Sequence, residues 1–134
     1  MTDDTISSKA TSIYDTCDDR FFHKGLETLT KVELNIVAVG SFIGQMRSGG
    51  IRSFIESPWG ILRTHVTSAL REVGLISYAS IAAELLANAD HVDLDDRDST
   101  DEIEAKFWKE FWKSPEGGTE MIDKAMVDYW TAHH

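Results

Sequence analysis

Apolar residues along this chain recur three and four positions apart, the spacing that gathers them on one face of an α-helix. Ile6, Ala10, Ile13, Tyr14, Cys17 and Phe21 make a first stripe of this kind, and Gly25 predicts its stop. A second stripe runs through Val32, Ile36, Val39, Ile43 and Met46 to Gly49-Gly50. Leu34, Val37 and Phe42 widen it into the face of a central, buried helix. Gly40 and Gly44 each cost such a helix about 1 kcal/mol against alanine, so their expected use is close approach by a neighbouring helix. A short helix is predicted over residues 51–56. Ser57-Pro58-Trp59-Gly60 closes it, because the residue before a proline is pushed out of the helical region.

Residues 61–73 read as the next helix, with Leu62, Val66, Leu70 and Val73 inward and Gly74 at the end. Another is expected over residues 76–89, offering Ile81, Leu85 and Leu86 to the core. The polar, acidic connector HVDLDDRDSTDEIE follows, and Ser99 with Glu102 three residues later is a capping-box pattern that predicts a helix start. The apolar side of that helix is Ile103, Phe107 and Phe111, with Trp108 and Trp112 on the adjacent stripe. Ser114-Pro115-Glu116-Gly117-Gly118 breaks it, and Thr119 is placed to cap a last helix faced by Ile122, Met126, Tyr129 and Trp130. No stretch alternates apolar and polar residues for long, and no Asn-Gly or Asp-Gly hairpin signal occurs. The expectation is an all-α, compact single-domain bundle of six or seven helices over residues 1–134.

Composition changes this picture only at the surface. Apolar residues are 42% of the chain, enough for a packed core, which excludes a disordered or collagen-like chain. Twenty-three acids against thirteen bases give a net charge of -10, which opposes binding to nucleic acid or to an anionic membrane. The excess is uneven. Residues 29–83 carry three acids and five bases, whereas residues 84–134 carry fourteen acids and five bases. Asp90, Asp93, Asp95, Asp96, Asp98, Asp101, Glu102 and Glu104 crowd into fifteen positions with Arg97 as their one cation. Such a run serves as a solvated loop and helix N-terminus, where the helix dipole favours carboxylates. Its sharper reading is a negative surface offered to a basic partner. A single cysteine, Cys17, forms no internal disulfide and fits a reducing cytoplasm. The polar, acidic N-terminus lacks the basic start and apolar core of a signal peptide, and the apolar stretch 34–46 is too short and mixed to span a bilayer.

Few residues carry chemistry of their own. Asp93, Asp95 and Glu104 fall at positions 1, 3 and 12 of a calcium loop, but Arg97 and Asp98 stand where an oxygen ligand and a glycine are required. His23, His65 and His91 lack metal-ligand spacing, and His133-His134 is either the natural end or a tag remnant. No metal and no cofactor is expected. Cys17, on the apolar face with Tyr14 and Phe21, reads as a small buried hydrophobe. Gly49-Gly50 reads as a helix stop. Its alternative is a pocket with Gln45, Arg47, Arg52 and Trp59, in a small-anion binder or enzyme. Four rings on one helix exceed what a small core buries, so Trp108 and Trp112 are interface candidates.

The buried helix, the run SGGIRSFIES, the helix ending in ELLANA and the closing DYWTAHH together resemble the DNA-mimic-protein-like family, an all-helical bacterial domain, over roughly residues 30–134. Gly49, Gly50 and Phe54 match its Gly-Gly-aromatic motif, whereas Ile51, Ser53 and Ile55 depart from it and Ser57 stands near its asparagine. The resemblance implies an acidic, dimeric helical protein that imitates the charge of DNA on a DNA-binding protein. The leading expectation is therefore a non-enzymatic module whose acidic C-terminal half, residues 90–104 above all, binds a basic protein such as a DNA-binding regulator. An immunity-type protein that neutralises a basic toxin is the alternative of the same class.

Overall fold

Described over residues 3–114 and 118–134, the computed structural model is built from seven α-helices, with no strand among those residues. The helices are α1 (Asp3–Lys24), α2 (Lys31–Ser48), α3 (Gly50–Glu56), α4 (Val66–Glu72), α5 (Ile76–Ala89), α6 (Arg97–Lys113) and α7 (Thr119–His133). Short 3₁₀ segments, Leu26–Thr28 and Pro58–His65, lie between α1 and α2 and between α3 and α4.

The central helix begins where two side chains satisfy its first free amides. Thr30 Oγ1 accepts from the Glu33 N–H (3.1 Å), and Glu33 Oε1 accepts from the Thr30 N–H (2.8 Å). From there α2 places Ile36, Val37, Val39 and Phe42 wholly out of solvent and packs against α1, α3, α4 and α7. Phe42 presents its ring edge-on to Phe54 of α3 and Phe107 of α6, at centroid distances of 5.4 and 5.8 Å. Tyr78 of α5 stacks on Phe111 of α6 at 4.4 Å. A buried amide of α2, Asn35 Nδ2, donates to the Tyr129 hydroxyl of α7 at 2.8 Å, so this polar pair is satisfied inside the core.

The inward faces follow the periodicity. Ala10, Cys17 and Phe21 of α1, Leu85 and Leu86 of α5, and Ile122, Met126 and Tyr129 of α7 are buried. Other expectations are corrected. Residues 61–73 do not form one helix: Ser57 Oγ accepts the Trp59 N–H, and the Gly60 N–H bonds the Ser57 carbonyl. Those short-range bonds tighten the chain into 3₁₀ geometry through His65, and α4 starts only at Val66. Helix α6 starts earlier than Ser99 allows. Asp96 caps it by accepting from the Asp98 N–H (3.2 Å), while Ser99 Oγ turns back to donate to Asp96 Oδ2 (2.8 Å). The N-cap of α7 is Gly118, with Thr119 its first helical residue. The expected break at Pro115-Glu116-Gly117 lies outside the described residues. Gly40 does admit a neighbour, since a Cβ there would stand 2.3 Å from the Tyr14 ring, but Gly44 has nothing within 4 Å of its own Cβ position.

Candidate functional site

At Gly49-Gly50 the chain leaves α2 and enters α3 without a spacer, Gly49 being the C-cap of one helix and the N-cap of the next. Gly50 has φ +84°, a left-handed conformation that favours glycine. The turn exposes helical amides, and one carboxylate fills it: Glu104 Oε1 accepts from the Ile51 N–H at 2.7 Å. A Cβ on Gly50 would stand 2.1 Å from that same oxygen. Gln45 is also occupied, accepting at Oε1 from Ser53 Oγ (2.6 Å). At the turn where an anion pocket is the alternative reading, the protein's own Glu104 occupies the Ile51 amide and is engaged with α3.

The cations of the middle region meet the acidic segment in the same way. Arg52 reaches Glu56 through Nε and Asp95 through a terminal nitrogen, both at 2.9 Å. These contacts hold the guanidinium pKa above its ordinary value, the hydrogen bond to Glu56 contributing most. Arg63 pairs with Asp90, and Lys106 with Glu84 of α5. Asp93 Oδ1 accepts from the Asp95 N–H (2.9 Å) and Asp96 caps α6, so both carboxylates shape the backbone that carries them. Thr100, buried, donates to the Leu94 and Asp96 carbonyls and pins the loop on the helix. Asp90, Asp93, Asp95, Asp96 and Glu104 are thus engaged by the fold.

Three of the eight acids are left. Asp98, Asp101 and Glu102 lie exposed on the first turns of α6, and among the described residues no side-chain hydrogen bond or ion pair holds them. Their spacing places them within an arc of about 100° on one side of the helix. The same stripe continues through Ala105 and the exposed Lys109 to Trp112. Trp112 is 64% exposed and lies beside Trp108, with ring centroids 6.2 Å apart, whereas Trp108 is partly buried against Phe107 and Phe111. Of the expected aromatic pair, one ring faces solvent. Among the described residues, Arg47 and Arg71 enter no ion pair with this segment.

The family model of the DMP19-like proteins matches residues 27–133. The chain belongs to the DMP19-like protein family. The matched span takes in the Gly-Gly turn, the acidic segment and α2 through α7, and begins after α1. Phe54, the aromatic carried by the motif of this DMP19-like chain, is wholly buried against Phe42. No curated protein and no solved structure matches the chain. No described helix is long and apolar enough to cross a membrane.

Sequence reasoning missed a second feature, a groove of about 500 Å³ between α1, α2 and α7. Gly44 was its only signal, and a lone mid-helix glycine reads equally well as a packing contact.

Proposed function

We propose that this DMP19-like protein is a non-enzymatic interaction module that offers the carboxylates of α6 to a basic protein in place of DNA phosphates. The observation that carries this reading is the division of labour among the acids. Five are spent in fastening and capping the segment, and Asp98, Asp101 and Glu102 are left unpaired on a helix so fixed. Carboxylates held in a set arrangement meet Lys and Arg side chains with little further ordering, which lowers the cost of association. Trp112, on the same stripe, adds the kind of exposed aromatic that dominates binding energy at interfaces. A DNA-binding regulator is the partner whose surface is already shaped for such an array, and a second copy of the chain presenting its own α6 would lengthen it.

The test is displacement of labelled duplex DNA from a DNA-binding regulator. The reading predicts displacement at low salt that fades steeply as salt rises, because exposed charges are screened over about 10 Å at 0.1 M ionic strength. Failure to displace DNA at low salt, or displacement indifferent to salt, contradicts it.

A further inference from the structure

The groove between α1, α2 and α7 lies apart from the acidic face of α6 and has a chemistry of its own. Gly44 leaves its floor open, and the Tyr14 ring over Gly40 closes one end. Ala10, Ile43, Ile122 and Met126 are buried beneath it and make the floor apolar. Its volume, about 500 Å³, lies within the range of small-molecule sites, roughly 300–1,000 Å³.

Charge on its walls selects the ligand. Asp123 is half-buried beside the apolar floor, with Ser7 and Arg47 nearby; desolvation raises its pKa, and both of those neighbours oppose the rise. Glu120, one turn earlier on α7, lines the same side. Among the described lining residues the cations are Lys124, committed to Asp128 at 2.9 Å, and Arg47, which acts on Asp123. An anionic head group at Arg47 would sit beside two carboxylates, whereas a cation answers both. We propose that this groove binds a small organic amine, its apolar body lying over Gly44 and its ammonium group at Asp123. Helix α1 supplies one wall and precedes the span matched by the family, so the site depends on a segment outside that match.

Three matched indole probes test this on the full chain by NMR titration: tryptamine, neutral indole-3-ethanol and anionic indole-3-acetate. Tryptamine is expected to bind about tenfold more tightly than indole-3-acetate, with shifts centred on Gly44, Met121 and Asp123. Asp123→Asn, which keeps the size of the side chain, should bring tryptamine down to the affinity of indole-3-ethanol. Gly44→Phe should fill the floor and weaken all three probes about tenfold with helix content unchanged. Equal affinity for the three probes, no binding of tryptamine at millimolar concentration, or full tryptamine affinity in Asp123→Asn overturns the proposal. The Asp123→Asn arm decides the matter even where Gly44→Phe fails to fold.

Discussion

Replacing Gly50 by alanine tests how the acidic segment is fastened. At φ +84° a side chain with a Cβ is strained, at a cost of about 1–2 kcal/mol. The new methyl would also stand 2.1 Å from Glu104 Oε1. That oxygen is the far end of a flexible side chain, so Glu104 swings away and surrenders its bond to the Ile51 N–H. A hydrogen bond to a charged group contributes about 1.5–3 kcal/mol, and the partial exposure of Glu104 places this one at the lower end. Gly50→Ala is therefore expected to cost about 3 kcal/mol, half of it through Glu104. Glu104→Ala alone should cost about 1.5 kcal/mol. The double variant should cost no more than Gly50→Ala, because one bond is lost only once, giving a coupling of about 1.5 kcal/mol. Urea unfolding followed by tryptophan fluorescence yields all four free energies. Additive costs, about 4.5 kcal/mol in the double variant, would refute the idea that the glycine exists to seat Glu104.

Other consequences follow from the core and its ionisable groups. Phe54→Ala removes a wholly buried ring packed on Phe42 and should cost about 3–5 kcal/mol in urea unfolding; a loss under about 1 kcal/mol contradicts the packing of the motif aromatic. Burial first, then the charges of Glu33 and Asp18, push the Cys17 thiol from its ordinary 9.0 up to about 12. The folded state thus favours the neutral thiol, a contribution intact below pH 9 and lost as pH rises through about 12. The stability margin of the protein over Cys17→Ala should accordingly shrink above pH 9, and a margin that grows there contradicts the burial argument. Native protein at pH 8 should also resist a thiol-labelling reagent until urea unfolds it.

The faces of the helices were legible because burial repeats along a helix with the period of its backbone. Cys17, Phe42, Leu85, Phe111 and Met126 are all inward where their spacing places them. What escaped the sequence was decided between distant segments or between rival local bonds. Ser99 with Glu102 and Asp96 with Asp98 are nested capping options, and both Asp96 side-chain bonds favour the earlier start. Periodicity is blind to the pairing of Glu104 with the Ile51 amide, 53 residues away, or of Arg63 with Asp90, 27 residues away. The same blindness made eight acids look like one surface. Only the ion pairs and caps separate the five that hold the segment from the three that are left over. Gly40 and Gly44 look alike in sequence, and the Tyr14 ring approaches only the first.

The central claim is that negative charge on this protein acts through its placement and not through its amount. Two triple variants that remove equal charge separate these directly. Asp98→Asn with Asp101→Asn and Glu102→Gln empties the free stripe of α6, and Asp15→Asn with Asp19→Asn and Glu27→Gln removes three exposed acids from α1 and the turn after it. Affinity for the DNA-binding regulator, measured across a salt series, should fall at least about tenfold in the α6 variant, with a shallower salt dependence. The second variant should stay within about twofold of the unaltered protein. Equal losses in the two would show that bulk acidity alone attracts the partner and would contradict the account.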